Sequence, residues 1–242
     1  MSESVFVDND REAQRGMIFG WVGVLAGGRQ ALPLALGGCA DGLVFGVLAR
    51  QSHLSMLEVL LMSSFVNAGS AQLLVLHLWG LPPAFWPIVL TTGLVNLRML
   101  LLGVSLSRWW RSLPPLKAYG TLFFLSDESW ALTMGEFARG GRDAAFLLGS
   151  GLLMFVAWIG STLLGCWLGA GIADPAAWGL DFAFTAVFLS LLVGLWKGKA
   201  DILPWLVGAV VAVVSARLIA GNWYILLGAL CGSIVGAIRH AD

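Results

Sequence analysis

The sequence predicts an all-α integral membrane protein, and three observations carry that prediction. Of 242 residues, 58% are hydrophobic and only 12% charged, against about 25% charged in a soluble domain. The mean hydropathy is +0.85, too apolar for a surface facing water. The charged residues also avoid the long apolar runs. Insertion demands that avoidance, because a charge at the bilayer centre costs about 2.5–3.5 kcal/mol even on a lenient scale.

The N-terminal stretch MSESVFVDNDREAQRG is polar and mildly acidic, without the basic and short apolar regions of a signal peptide. Residues 1–28 are therefore expected to form a solvated tail, with the apolar Met17–Gly28 as an interfacial helix or the start of the first span. From residue 29 to 242 the chain reads as one polytopic membrane domain. A spanning helix needs about 20 mostly apolar residues. Candidates run Ala31–Ala49, Leu57–Trp79, Ala84–Leu106, Gly120–Phe137, Ala144–Ile172, Asp181–Trp196, Ile202–Ile219 and Trp223–Ile238. The last three are short, so these amount to about 6–8 hydrophobic segments.

Basic residues follow the third segment (Arg108, Arg111, Lys117), the fourth (Arg139, Arg142) and the sixth (Lys197, Lys199), while the loops after the second, fifth and seventh carry none. Cytoplasmic loops collect Lys and Arg. Placing these loops, Arg50 and the N-terminal arginines on one side requires the first and fourth segments to enter and leave there. Those two are also interrupted, by GGCADG and by SDES. A break at membrane depth is tolerated where it lines a buried or wet cavity, a device of transporters built from repeats. The first and fourth segments are accordingly expected to be broken or re-entrant, the alternative being ordinary tilted helices. Glycines at four-residue spacing, Gly38, Gly42 and Gly46, then Gly228, Gly232 and Gly236, fit close helix packing within the chain or docking of another membrane subunit.

Ionisable groups inside spans are functional hypotheses by default. Arg98 lies deep in its span and needs an anion, for which Asp41, Asp127, Glu128 or a substrate carboxylate qualify. Asn96 cannot point with it in a regular helix, since two residues turn about 200°. Asn67 and Gln72 can serve as interhelical glue or as ligand contacts. Asp127 and Glu128 are adjacent carboxylates in an apolar setting, where both cannot ionise cheaply; a proton-coupling site requires that property, though a solvated boundary pair is the plainer reading. Arg217 is near a segment end and can snorkel to water.

Other chemistry finds little support. The formal net charge is zero, with 14 basic and 14 acidic residues, which disfavours nucleic acid as a partner. Hydrolase, metalloprotease and phosphate-loop motifs are missing, and the Gly69–Ser70 pair is a very weak sign of catalysis. Cys39, Cys166 and Cys231 lie singly in apolar stretches and read as packing residues. No cofactor or metal is expected.

Four stretches in order, ALPLALGGCADGLVFGVLA, LSMLEVLLMSSFVNAGSAQ, VLTTGLVNLRMLLLGVSL and FFLSDESWAL, resemble the AzlC family, large subunits of two-component branched-chain amino-acid exporters. They match its Pro- and Gly-rich first segment ending in G-x-x-x-G, its AG-x-x-Q turn, its N-x-R-H signature and its acidic DE pair. The likeness covers about residues 29–240, with two departures: Met99 stands where histidine is common, and Asp41 where an apolar or aromatic residue is usual. The resemblance implies a small hydrophobic partner of the AzlD type, and Asp181–Ile238 itself looks loosely like that partner.

The combined expectation is a proton-coupled exporter of branched-chain or similar apolar amino acids in the bacterial inner membrane, not an enzyme. Asp41, Asn67, Gln72, Asn96 and Arg98 are the expected substrate contacts, Asp127 and Glu128 the proton-coupling pair. The rivals are a scaffold subunit that only assembles its partner and, further off, an intramembrane enzyme.

Overall fold

The computed structural model describes residues 17–66, 68–79, 85–172, 198–219 and 223–239, together with 177, 179, 182, 186, 189 and 193. The described chain is helical: α1 (Trp21–Gln51), α2 (Met56–Phe65), α3 (Gly69–Leu78), α4 (Phe85–Trp110), α5 (Pro115–Leu122), α6 (Asp127–Ala138), α7 (Ala145–Gly169), α8 (Ile202–Leu218) and α9 (Trp223–Arg239). Among the described residues, four stretches are long and apolar enough to cross a membrane: Trp21–Gln51, Phe85–Ser107, Ala145–Gly169 and Lys199–Leu218. The protein is an all-α integral membrane protein. Its residues group into two compact units, one within Met1–Gln72 and Asn96–Ala173, the other within Leu73–Val95 and Asp174–Asp242.

The axis of the first unit is the pair α1 and α7. Small residues line the facing sides: Gly23, Gly27, Ala31, Ala35, Gly42 and Gly46 on α1, and Ala145, Gly149, Ser161, Gly165 and Gly169 on α7, all buried. The backbones touch through these gaps. A Cβ on Gly27 runs into the Phe146 carbonyl, on Gly46 into that of Thr162, on Gly149 into that of Val24 and on Gly165 into that of Leu43. The order of these contacts rises along both chains, so the two helices are parallel.

Their ends are tied accordingly. At one end the Asp143 carboxylate accepts from the backbone N–H of Gly20 (3.1 Å), Gly23 (3.0 Å) and Ala145 (3.0 Å). At the other, the Gln51 amide donates to the carbonyls of Gly169 (3.1 Å) and Ile172 (3.4 Å). Parallel helices stack their positive ends together, and one carboxylate answers both.

Two expectations fail here. The first segment is continuous through GGCADG, because Gly42 and Gly46 serve as contact surface against α7 and do not act as a hinge. It starts at Trp21, upstream of Ala31, which bears out the alternative that the apolar Met17–Gly28 holds the start of the first span. The second segment, expected as one span, is two helices, with α2 ending at Phe65 and α3 beginning at Gly69. The fourth segment is broken between Leu122 and Asp127 as expected, and Ser126 and Ser129 close a reciprocal cap at its restart, 3.2 Å and 2.8 Å.

The breaks approach from opposite ends of the α1–α7 pair. Leaving the Gln51 end, the chain turns through His53 (φ 67°), restarts at a Ser55–Glu58 capping box, and runs inward until Thr162 donates to Ser63 at 3.2 Å. At the Asp143 end, Leu106 and Trp110 of α4, Phe137 of α6, and Ala144 and Leu147 share one apolar cluster with Leu125. Helix α6 therefore ends on the side where α4 ends and α7 begins. The α5–α6 turn reaches inward as far as Gly151, whose Cα faces the Phe124 carbonyl, and returns.

In the second unit, α8 and α9 form an antiparallel hairpin closed on glycine. Gly228 faces Gly208 and Ala212, and Gly232 faces the Pro204 carbonyl. Both glycine series thus make contacts within the chain. Most of the expected segment Asp181–Trp196 lies outside the described residues.

Candidate functional site

Arg98 is the centre of the first unit's polar groups. Its Nη2 pairs with Asp127 Oδ2 at 2.9 Å and donates to Ser70 Oγ at 3.1 Å. Asp127 is the first residue of α6 and Ser70 lies in the first turn of α3. Each break thus delivers a helix N-terminus to the same guanidinium. Helix N-termini are positive, so a cation placed there raises the demand for an anion. Asp127 supplies one. The ion-paired side chains remain 40% and 42% exposed, open to exchange, and the buried Arg98 Nε has no partner among the described residues.

The acidic groups extend from there. Glu128, exposed, follows Asp127 on α6, and Asp41, exposed on α1, is near enough to Glu128 to feel its charge. One carboxylate, Asp127, pairs with the guanidinium, while Glu128 lies next to it in the chain and Asp41 lies within the reach of Glu128's charge. The centre has a cationic end and an anionic end.

Gln72 is fully buried. Its amide donates to the carbonyls of Met62 (3.1 Å) and Val66 (3.0 Å) and accepts from Trp158 Nε1 at 3.0 Å. Those carbonyls are at the end of α2, where a helix leaves acceptors unmet. Gln72 holds the break shut onto α7. Asn96 is half-buried on α4, about 200° around from Arg98. Asn67 lies outside the described residues.

Three residues of consequence escaped the sequence reading. Ser70 was weighed only as a catalytic signal. Trp158 looked like one more apolar residue of a span. Asp143, between a basic loop and an apolar run, carried a legible sign, since a carboxylate just before a helix is a cap.

The comparisons agree with this architecture. Inner membrane protein YgaZ of Escherichia coli is 26% identical over 223 residues, 89% of this chain and 90% of that protein. Branched-chain amino acid transport protein AzlC of Bacillus subtilis is 26% identical over 198 residues, 81% and 76% of the two chains. An uncharacterized membrane protein of Archaeoglobus fulgidus is 29% identical over 211 residues, 85% and 90%. No solved structure matches. The profile of the AzlC protein matches residues 33–172, more than half the chain and the stretch holding Asp41, Gln72, Arg98, Asp127 and Glu128, and this membrane protein belongs to the AzlC family.

Proposed function

We propose that the chain is the large subunit of a proton-coupled exporter of branched-chain or similar apolar amino acids, working in the bacterial cytoplasmic membrane with a small AzlD-type hydrophobic subunit. The observation that carries this reading is the Arg98 centre, where two broken segments bring Ser70 and Asp127 to one guanidinium with an unfilled N–H. A zwitterion needs an anchor for each charge. Arg98 takes the carboxylate, a charge-assisted contact, and Asp41 with Glu128 takes the ammonium. Asn96 and Asn67 are assigned as further substrate contacts, while Gln72 positions the α2–α3 break. The name of the Bacillus subtilis relative supports the substrate class.

The test is reconstitution into proteoliposomes, with and without the small subunit, and measurement of labelled leucine efflux under an imposed pH gradient. Efflux that needs both chains and responds to the gradient supports the reading. If liposomes holding both chains leak no faster than empty ones, the exporter assignment is wrong and a scaffold role takes its place.

A further inference from the structure

Asp127 and Glu128 are neighbours in sequence but not in circumstance. Asp127 closes an ion pair with Arg98 at 2.9 Å, while Glu128 is exposed and within electrostatic reach of Asp41. We infer that Asp127 is an exchangeable stand-in for the substrate carboxylate at Arg98, and that Glu128 with Asp41 forms the opposing, proton-competing end of the site. This rests on the amino-acid reading above and divides its proton-coupling pair into two groups of opposite sign.

The exchange balances without covalent chemistry beyond one O–H bond. An incoming carboxylate takes the guanidinium, Asp127 is left without its countercharge, and it accepts a proton from water. The unfilled Nε and the two helix N-termini favour an incoming carboxylate over an empty arginine. Among the described residues, Arg98 from α4 meets Asp127 from α6 and the neutral Ser70 from α3, Glu128 follows Asp127 on α6, and Asp41 from α1 is within electrostatic reach of Glu128.

The signs follow from linkage. A proton on Asp127 vacates Arg98, so proton and substrate assist each other. A proton on Glu128 or Asp41 removes the anion that the substrate's ammonium needs, so proton and substrate exclude each other. Mutual exclusion alone lets an inward proton gradient drive an amino acid outward. Export therefore draws on Glu128 and Asp41, and Asp127 acts against it unless it stays ionised through the cycle.

The experiment uses the full chain with its small subunit in nanodiscs, with leucine binding measured by titration calorimetry between about pH 6 and pH 8. Asp127→Asn is expected to tighten leucine binding about tenfold and to leave affinity that rises with pH. Glu128→Gln combined with Asp41→Asn is expected to weaken it about tenfold and to leave affinity that falls as pH rises. Asp127→Glu keeps the exchange and stays close to wild type, which separates it from a folding role. Isocaproate, a carboxylate without an ammonium, should bind Asp127→Asn about tenfold tighter than wild type and ignore Glu128→Gln combined with Asp41→Asn. That arm separates the two readings: isocaproate behaving so while leucine fails to bind removes the amino-acid assignment and leaves the exchange standing. Variants that shift pH dependence in the same direction overturn the inference. So does weaker binding of both probes by Asp127→Asn, or no binding of either probe to any form.

Discussion

The α1–α7 seam and the Arg98 centre lie in the same unit and are built on opposite terms. The seam brings backbone against backbone through glycine, alanine and serine. Close approach of helices through small residues is how a membrane interface gains dispersion contacts and excludes slack. The centre joins two helix starts to one mid-helix arginine through side chains about two-fifths exposed, and one of its donors is unfilled. A frame that cannot give holds a site that can. The glycines that face the partner helix mark the close-packed part, and the polar chemistry sits where serine and aspartate stand at the starts of helices.

Steric substitution in the seam offers the hardest test. Gly46→Leu drives a side chain into the Thr162 carbonyl, where neither backbone can move without separating the helices. Overpacking costs about 1–3 kcal/mol in adaptable cores and more where backbone is the obstacle. Loss of folded protein on size exclusion is expected. Gly37→Leu, on the same helix with nothing within 4 Å, should leave the melting temperature within a few degrees of wild type, since small effects move it by about 2–4 °C per kcal/mol. Equal damage from both variants would break the distinction between seam and open face.

The centre should respond in function and not in folding. Arg98→Gln removes the anchor for the substrate carboxylate and frees Asp127. Labelled leucine efflux should fall about 100-fold, equivalent to about 2.7 kcal/mol, with insertion and assembly with the small subunit retained. Full efflux from this variant sinks the site. Gln72→Leu falls between the two regions, because Gln72 is buried like the seam yet shapes the break that leads to Ser70. The change leaves the Val66 carbonyl and the Trp158 N–H without that partner, and unmet buried polar groups cost about 1–3 kcal/mol each. A lower melting temperature with partly reduced efflux is expected. Efflux loss with unchanged stability would instead make Gln72 a substrate contact.

The class of fold was legible because insertion energetics writes itself into composition. The polar centre was legible in part. Arg98 stood out as a charge deep in its span, and Asp127 with Glu128 as an adjacent pair that could equally be solvated at the boundary, but which carboxylate pairs with Arg98 depends on how α4 and α6 pack, and spacing along one chain does not encode that. The GGCADG run misled as an expected break, whereas the four-residue glycine spacing was read as close packing or docking, and Gly42, Gly46, Gly228 and Gly232 do pack within the chain. The α2–α3 break was missed because Leu57–Trp79 is apolar enough over its length to read as one span, although Asn67, Gly69, Ser70 and Gln72 lower its hydropathy in the middle. Gln72, which caps that break, was the available clue.

Asp143→Asn should give the smallest of these effects and sharpen the account of the parallel pair. Asp143 accepts three N–H groups, two on Oδ1 from Gly20 and Ala145 and one on Oδ2 from Gly23. Asparagine is nearly as good a cap as aspartate at a single helix start, so a lone cap loses almost nothing on this change. Here the amide oxygen can keep the two Oδ1 bonds, but its NH2 then meets the Gly23 N–H, donor against donor. The change also removes the negative charge that answers two parallel helix dipoles, worth about 0.3–1 kcal/mol per helix end. A loss of about 1 kcal/mol is therefore expected, read as a modest fall in melting temperature that shrinks at high salt. Asp143→Ala should cost more, because all three donors lose their acceptor. If Asn and Ala are equally mild, Asp143 is not what holds the two helix starts together, and the glycine contacts alone fix the parallel arrangement.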